Sequence, residues 1–336
     1  MKRPIALSLA LLALSPVLAA CGGSGEDEPL TIYSGRNEKL VGALIGDFER
    51  ETGIKTEVRY GDSAELSATI AEEGDSSPAD VFFSQDAGAL GAVESEGLLA
   101  VLPRSVLDKV DSRYRDSSGR WVGTSGRSRV VAYSTKRINE SELPDSIFDF
   151  TDSRWKGRIG FPPPNASFQA FVSAMRLSVG DARTQRWLDD IKRNDPVLLE
   201  NNIQTEEAIA AGEIDVGFVN HYYVYELRHE RPGFPVANHF LRARDPGSLV
   251  NVAGVGVLGS SDQSEQAQRF AEYLLSAAGQ RYFSEKTFEY PLVAGSAAPK
   301  GLPPIADLQG PEITLDALGG ELRSTLEMLS EAGFST

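Results

Sequence analysis

The strongest constraint on this chain lies in its first third, where short apolar runs alternate with helical patterns. "LTIYSG" reads as a strand and is followed by an amphipathic helix from Glu38 to Glu51. "KTEVRYG" and a helix from Ala64 to Glu73 come next, then the apolar "ADVFFSQ" and a helix from Ala87 to about Glu96. Strand and helix alternating at this spacing predict parallel βαβ units, and hence an α/β fold. Ligands of such sheets sit beyond the carboxyl ends of the strands. Those ends are Ser34 to Asn37, Gly61 to Ser63 and Ser84 to Asp86, all polar and in part glycine-containing.

A second block opens at "SRVVAYST", Ser128 to Thr135, with "GRIGF" and "PVLLE" as further strands. Its helices are predicted from Phe168 to Val179 and from Arg183 to Lys192. In "TEEAIAAGEIDVGFVN" a helix, a glycine stop and a buried strand follow one another. Further helices are expected over Ser264 to Ala277, Gly279 to Lys286 and Leu315 to Ala332, with "EYPLV" as a loop.

The N-terminus reads as an address. Lys2 and Arg3 precede the apolar "IALSLALLALSPVLAA", and Pro16 and the modest length argue against a stable membrane span. Small residues lead to Cys21 in "LAAC", which resembles the lipobox of bacterial lipoproteins. Cys21 would then be the lipidation site that anchors the chain to the membrane, outside the cytoplasm. It is the only cysteine among 336 residues, so no internal disulfide can form. "GGSGEDEP" reads as a flexible tether. Cleavage before Cys21 removes 20 of 336 residues, and the 316 left suit two lobes better than one core. It also removes two basic residues and no acidic one, so the formal charge moves from −15 to −17. Such a surface disfavours nucleic acid.

"VNHYYVYEL" places Tyr222, Tyr223 and Tyr225 within four positions. Neighbours on a helix point about 100° apart and neighbours on a strand point to opposite faces, so one core face does not take both easily. Either one ring packs while the other lies on the surface, or both phenol oxygens converge on a ligand. The preceding strand delivers the chain to Asn220, so Tyr222 and Tyr223 fall where a strand ends and a helix begins. That is again the ligand edge.

Other chemistries find little support. Gly254, Gly256 and Gly259 match G-x-G-x-x-G literally, but Val255, Val257 and Leu258 continue a strand and no helix opens within the glycines. No G-x-S-x-G, H-E-x-x-H or P-loop occurs, and the only histidines are His221, His229 and His239. His229 and His239 read as surface residues.

Taken in order, "YSGR", "FERETGI", "EEGDSSPADVFFSQ", "SGRSRVVAY", "WKGRIGF", "AIAAGEI", "VNHYYVYEL", "RDPGSLVNVAG" and "EYPLV" resemble the ferric-iron-binding proteins of bacterial ABC importers. The resemblance implies a periplasmic-binding-protein fold of type 2, with two α/β lobes joined by two crossing hinge strands near Arg127 and Val250 to Val252. It implies a signal peptide over 1–20 and a tether over 21–29. The first lobe would comprise 30–127 and 252–302, the second 128–251 and 303–336. The implied function is non-enzymatic: a monomeric lipoprotein captures Fe(III) and passes it to a membrane permease and its ATPase.

Tyr222 and Tyr223 match the family's metal ligands, while Tyr225 is read as a core residue. Where many members carry histidine and glutamate, this chain has Asn37 and Gln85, and the "PPPNASF" loop lacks the tyrosine of a further class. Small anions complete the coordination sphere, or the ligand is a ferric chelate, or metal binding has been lost. Arg127, Arg129, Asn165, Ala166, Ser167, Asn202 and Asn220 match anion-contacting positions, which favours carbonate, phosphate or citrate. Surface ion pairs for the arginines and turn positions for the asparagines are the plainer alternatives. Rival readings are a binder of another solute, such as a polyamine or thiamine, and a secreted α/β hydrolase.

Overall fold

A computed structural model describes residues 28–334. The leader and Cys21 lie outside the described residues. Among the described residues ten strands form one connected sheet: β1 (Leu30–Ser34), β2 (Thr56–Tyr60), β3 (Val81–Ser84), β4 (Trp121–Ser134), β5 (Ile159–Phe161), β6 (Val197–Leu198), β7 (Val216–Asn220), β8 (Val236–His239), β9 (Val250–Val257) and β10 (Tyr290–Pro291). Their order is β2-β1-β3-β9-β4-β7-β5-β6, with β8 and β10 also paired to β4.

Two α/β units emerge from this order. In the first, β1 lies parallel to both β2 and β3. Each of these strands runs into a helix, and a residue two or three positions past each strand end sets the cap. Asn37, Asp62 and Asp86 accept the backbone N–H groups of Lys39, Ala64 and Ala89 at 2.8, 2.8 and 3.0 Å. An N-cap oxygen satisfies a donor that the helix itself leaves free, so the loop is tied to its helix locally. In the second unit, β5 lies parallel to β6 and β7.

The units are joined through β4, a strand of 14 residues buried along its whole length. From Trp121 to Ser128 it pairs with β9, and from Arg129 onward with β7. The change of partner falls between Ser128 and Arg129. Opposite it, β9 starts at Val250 and continues to β3, where Val257 pairs with Val81. Two adjacent antiparallel strands therefore carry the chain from one unit to the other. One core packs around β1, β3 and β9, while two others flank β7, the first with Phe161, Trp187 and Phe218, the second with Ile209, Val219 and Val236.

Four expectations are corrected. β4 begins at Trp121, well before the expected Ser128. "EYPLV" is not wholly loop: Tyr290 and Pro291 pair with Gly126 and Ser125 of β4. His239 is buried, its Nε2 3.0 Å from the carbonyl of Pro144. The terminal helix, Ala317–Glu331, packs on both units rather than on the second alone. Leu318 joins the first core, whereas Leu329 joins the second. Its close approach to helix Ala87–Ser95 needs glycine, because a Cβ on Gly319 would lie 2.6 Å from the carbonyl oxygen of Gly88.

Candidate metal centre

β7 is buried throughout, and the chain leaves it through His221 into helix Tyr222–Glu230. The two phenol rings stack obliquely, with centroids 4.1 Å apart and planes 31° apart. Tyr222 is buried and Tyr223 half-buried. The Tyr222 hydroxyl is enclosed and makes no hydrogen bond of good geometry, with only the Tyr223 hydroxyl interacting weakly with it. Leaving such a group unpaired costs about 1–3 kcal/mol, so the arrangement is poor for a purely structural tyrosine. Burial raises the Tyr222 phenol well above its ordinary pKa, and the neighbouring phenol adds to this, while Arg127 opposes it. Burial likewise raises Tyr223. Both phenols stay protonated unless a cation displaces the proton and stabilises the phenolate.

Around the pair lie three buried arginines. Arg36 makes a two-pronged pair with Glu289, at 2.9 and 2.7 Å. The same carboxylate accepts the hydroxyls of Ser125 and Thr287, each at 3.0 Å. Burial alone would raise the Glu289 carboxyl, but Arg36 and the other donors hold it below the usual carboxylate range. Arg127 reaches from the crossing strand to the backbone carbonyl of Gln85, with its Nε 3.9 Å from Glu289. That Nε and the side-chain oxygen of Gln85 are both buried without hydrogen-bond partners.

Arg129 is held differently. Its guanidinium donates to the Phe218 carbonyl at 2.7 Å, to Ser167 Oγ at 3.2 Å and to Asn220 Oδ1 at 3.3 Å. Among the described residues no carboxylate pairs with it. Burial pulls its pKa down to about 9, which marks the strain on a guanidinium that remains charged in proteins. Asn165 caps helix Ala166–Val179, accepting the N–H of Ser167 at 3.1 Å and its hydroxyl at 2.5 Å. Asn202 donates to Asn165 at 3.2 Å and to Ser167 at 3.4 Å, and its own Oδ1 is buried and unpaired. Asn165, Ala166, Ser167, Asn202, Asn220 and Arg129 thus come together at one helix N-terminus, where an anion is favoured.

Asn37 is exposed and its oxygen serves as a helix cap. Tyr225 is half-buried, donating to the Gly301 carbonyl at 3.3 Å. Sequence reading passed over Arg36, Glu289 and His221. Arg36 and Glu289 stand 253 residues apart, so no local pattern links them. Their only trace was membership of "YSGR" and "EYPLV". A groove of about 650 Å³ lies elsewhere, lined by Tyr114, Arg244, Leu249 and Leu308. None of the orphaned polar atoms belongs to its lining, so chemistry rather than size selects the site.

Comparison with known proteins gives a consistent picture. Residues 76–309 match the family described as "Bacterial extracellular solute-binding protein". The chain is 34% identical over 330 residues to the Fe(3+)-binding periplasmic protein of Serratia marcescens, covering 97% of this chain and 96% of that one. It is 33% identical to the major ferric iron-binding protein of Neisseria meningitidis serogroup B, covering 97% of each. Iron-bound HitA from Pseudomonas aeruginosa superposes with a TM-score of 0.85 at 35% identity, covering 91% of this chain and 99% of that one. Trichodesmium IdiA (FutA), in complex with iron and citrate, superposes with a TM-score of 0.81 at 29% identity, covering 92% and 100%.

Proposed function

We propose that this chain, which belongs to the bacterial extracellular solute-binding proteins and has their two-lobed type 2 fold, captures Fe(III) between its lobes with Tyr222 and Tyr223 as phenolate ligands. The observation that carries this reading is the Tyr222 hydroxyl, buried without a well-formed hydrogen bond and stacked beside a second phenol. Fe(III) is a hard cation that prefers anionic oxygen, and it supplies the missing partner by displacing the phenol proton. Two phenolates from one turn occupy neighbouring positions around the metal.

The charge balance calls for an anion. Arg36 and Arg127 share the carboxylate of Glu289 and Asp86 also bears on Arg127, whereas Arg129 has no carboxylate against it among the described residues, so at least one positive charge is in excess before any metal arrives. Fe(III) with two phenolates adds one more. A carbonate, phosphate or citrate held by Arg127, Arg129, Asn202, Asn220 and the Asn165–Ser167 loop offsets this excess, and a ferric chelate meets the same requirement. The buried arginines repel a polyamine or thiamine. Gln85 and Asn37 supply no charge, so the anion takes the place of the acidic ligand. The two lobes comprise 30–127 with 252–302 and 128–251 with 303–336, the terminal helix bridging them. Lipidated Cys21 anchors the protein outside the cytoplasm, where it hands iron to a permease and ATPase.

Metal analysis with a visible spectrum of the purified protein tests the reading. A red-orange tyrosinate-to-iron band that Tyr222→Phe or Tyr223→Phe weakens or shifts supports it, provided Tyr225→Phe leaves the band in place. A colourless protein that takes up no Fe(III) with carbonate, phosphate or citrate present would overturn it.

A further inference from the structure

The imidazole of His221 is fully buried, and both of its nitrogens contact backbone groups of other segments. Nδ1 accepts the N–H of Ser128 at 3.1 Å, and Nε2 lies 2.9 Å from the carbonyl of Phe288. A carbonyl can only accept and an N–H can only donate, so the proton sits on Nε2 and Nδ1 is bare. With both nitrogens engaged, His221 is not itself free to bind a metal.

What the ring replaces is informative. In the register of β4 and β7, Arg129 pairs with Asn220, so Ser128 and His221 come next. A regular antiparallel pair at this position exchanges two backbone hydrogen bonds. Here the His221 N–H does donate to the Ser128 carbonyl at 3.0 Å. The return bond runs to the imidazole instead, while the His221 carbonyl accepts the Asn238 amide at 2.7 Å. The substitution falls where β4 changes partner, on the residue before Tyr222. On the other side of the ring, Phe288 has a φ of 55°, a left-handed conformation uncommon for a bulky residue. It leads into Glu289, the partner of Arg36, and then into β10, which pairs with the half of β4 that belongs to the first unit. The ring also packs against Tyr222 and Tyr290, with centroids 5.8 and 4.8 Å away.

We propose that His221 is the positioning residue of the tyrosine pair. Its imidazole fixes the Tyr222–Tyr223 turn to the crossing strand at Ser128 and to the first unit at Phe288. The direction of the phenol oxygens is then set by how the two units cross rather than by the short helix that follows. Movement of one unit against the other displaces Phe288 relative to β7, and His221 carries that displacement to the phenols. This inference rests on the reading of the pair as iron ligands.

The test compares His221→Gln, His221→Asn and His221→Phe. Glutamine offers an acceptor and a donor, asparagine keeps an acceptor near Nδ1 but loses the reach to Phe288, and phenylalanine offers neither. Two readouts are used. One is the position of the tyrosinate-to-iron band with the rate of Fe(III) loss to a strong chelator. The other, on metal-free protein, is the distance distribution between spin labels at the exposed positions Glu72 and Asp189, each changed to cysteine in a Cys21→Ser background.

His221→Phe should shift the band, speed iron loss at least tenfold and broaden the distance distribution, and His221→Gln should restore most of all three. A folded His221→Phe protein matching the wild type in every readout overturns the proposal. Should His221→Phe fail to fold, His221→Asn decides, and its equality with the wild type likewise overturns it. A wild type with no band and no bound iron sinks the functional reading instead. The positioning role is then judged on the metal-free distances alone, and an unchanged distribution overturns it.

Discussion

The buried arginines around the tyrosine pair are of two kinds. Arg36, with Arg127 nearby, shares the carboxylate of Glu289, which two hydroxyls also support. Arg129 is surrounded by a carbonyl, a hydroxyl and an amide oxygen, with no carboxylate against it among the described residues. Dipoles orient a buried guanidinium but do not neutralise it, and a buried charge without a counter-ion is costly. A pair that is already complete is part of the architecture. A cation left incomplete beside an open helix N-terminus is a place for an anion.

The largest test of this contrast removes the internal counter-ion. Glu289→Gln leaves Arg36 buried and unpaired, which should cost about 3–5 kcal/mol of stability, read by urea denaturation of the metal-free protein. The wild type should also lose stability in acid where the variant does not. The Glu289 carboxyl is held low in the fold, so its contribution is complete above the unfolded carboxylate pKa of about 4.3. It disappears as pH falls through the lower folded value. A variant as stable as the wild type at neutral pH would dissolve the distinction between the two kinds.

Arg129→Met should behave in the opposite sense. It removes an uncompensated charge and the hydrogen bonds that orient it, two changes that offset each other, so metal-free stability should move by no more than about 1 kcal/mol. The loss appears in function: Fe(III) affinity should no longer rise when carbonate or citrate is added. An anion response equal to the wild type's would mean that Arg129 is ordinary scaffold.

A small stability gain is expected from Tyr222→Phe. The hydroxyl that it deletes has no well-formed hydrogen bond, so the metal-free protein should gain about 1 kcal/mol, the low end of the cost of leaving it unpaired. Fe(III) affinity should nevertheless fall at least tenfold in an equilibrium titration, about 1.4 kcal/mol. Equal loss of stability and of iron binding would indicate damaged packing rather than a lost ligand.

Much of this architecture was legible in the residues. Alternating strand and helix patterns marked the parallel units, because side-chain periodicity is a local property. Asn37, Asp62 and Asp86 lay in the segments read as the ligand edge, and the structure adds that each caps the helix that follows. The tyrosines fell at a strand end for the same local reason. Asn37 shows the limit: the sequence places it at the ligand edge, but its oxygen is turned to the helix behind it.

By itself, then, the sequence determined the α/β units and the adjacency of Tyr222 and Tyr223. Tertiary structure decided what those groups meet. Glu289 reaches Arg36 across 253 residues and Ser125 across 164. In the sequence His221 is one of three histidines, and only the fold brings Ser128 and Phe288 onto its two nitrogens; the terminal helix likewise joins both units only once they are assembled. Periodicity and capping act within a few residues, whereas burial and charge compensation depend on which distant segments the chain brings together.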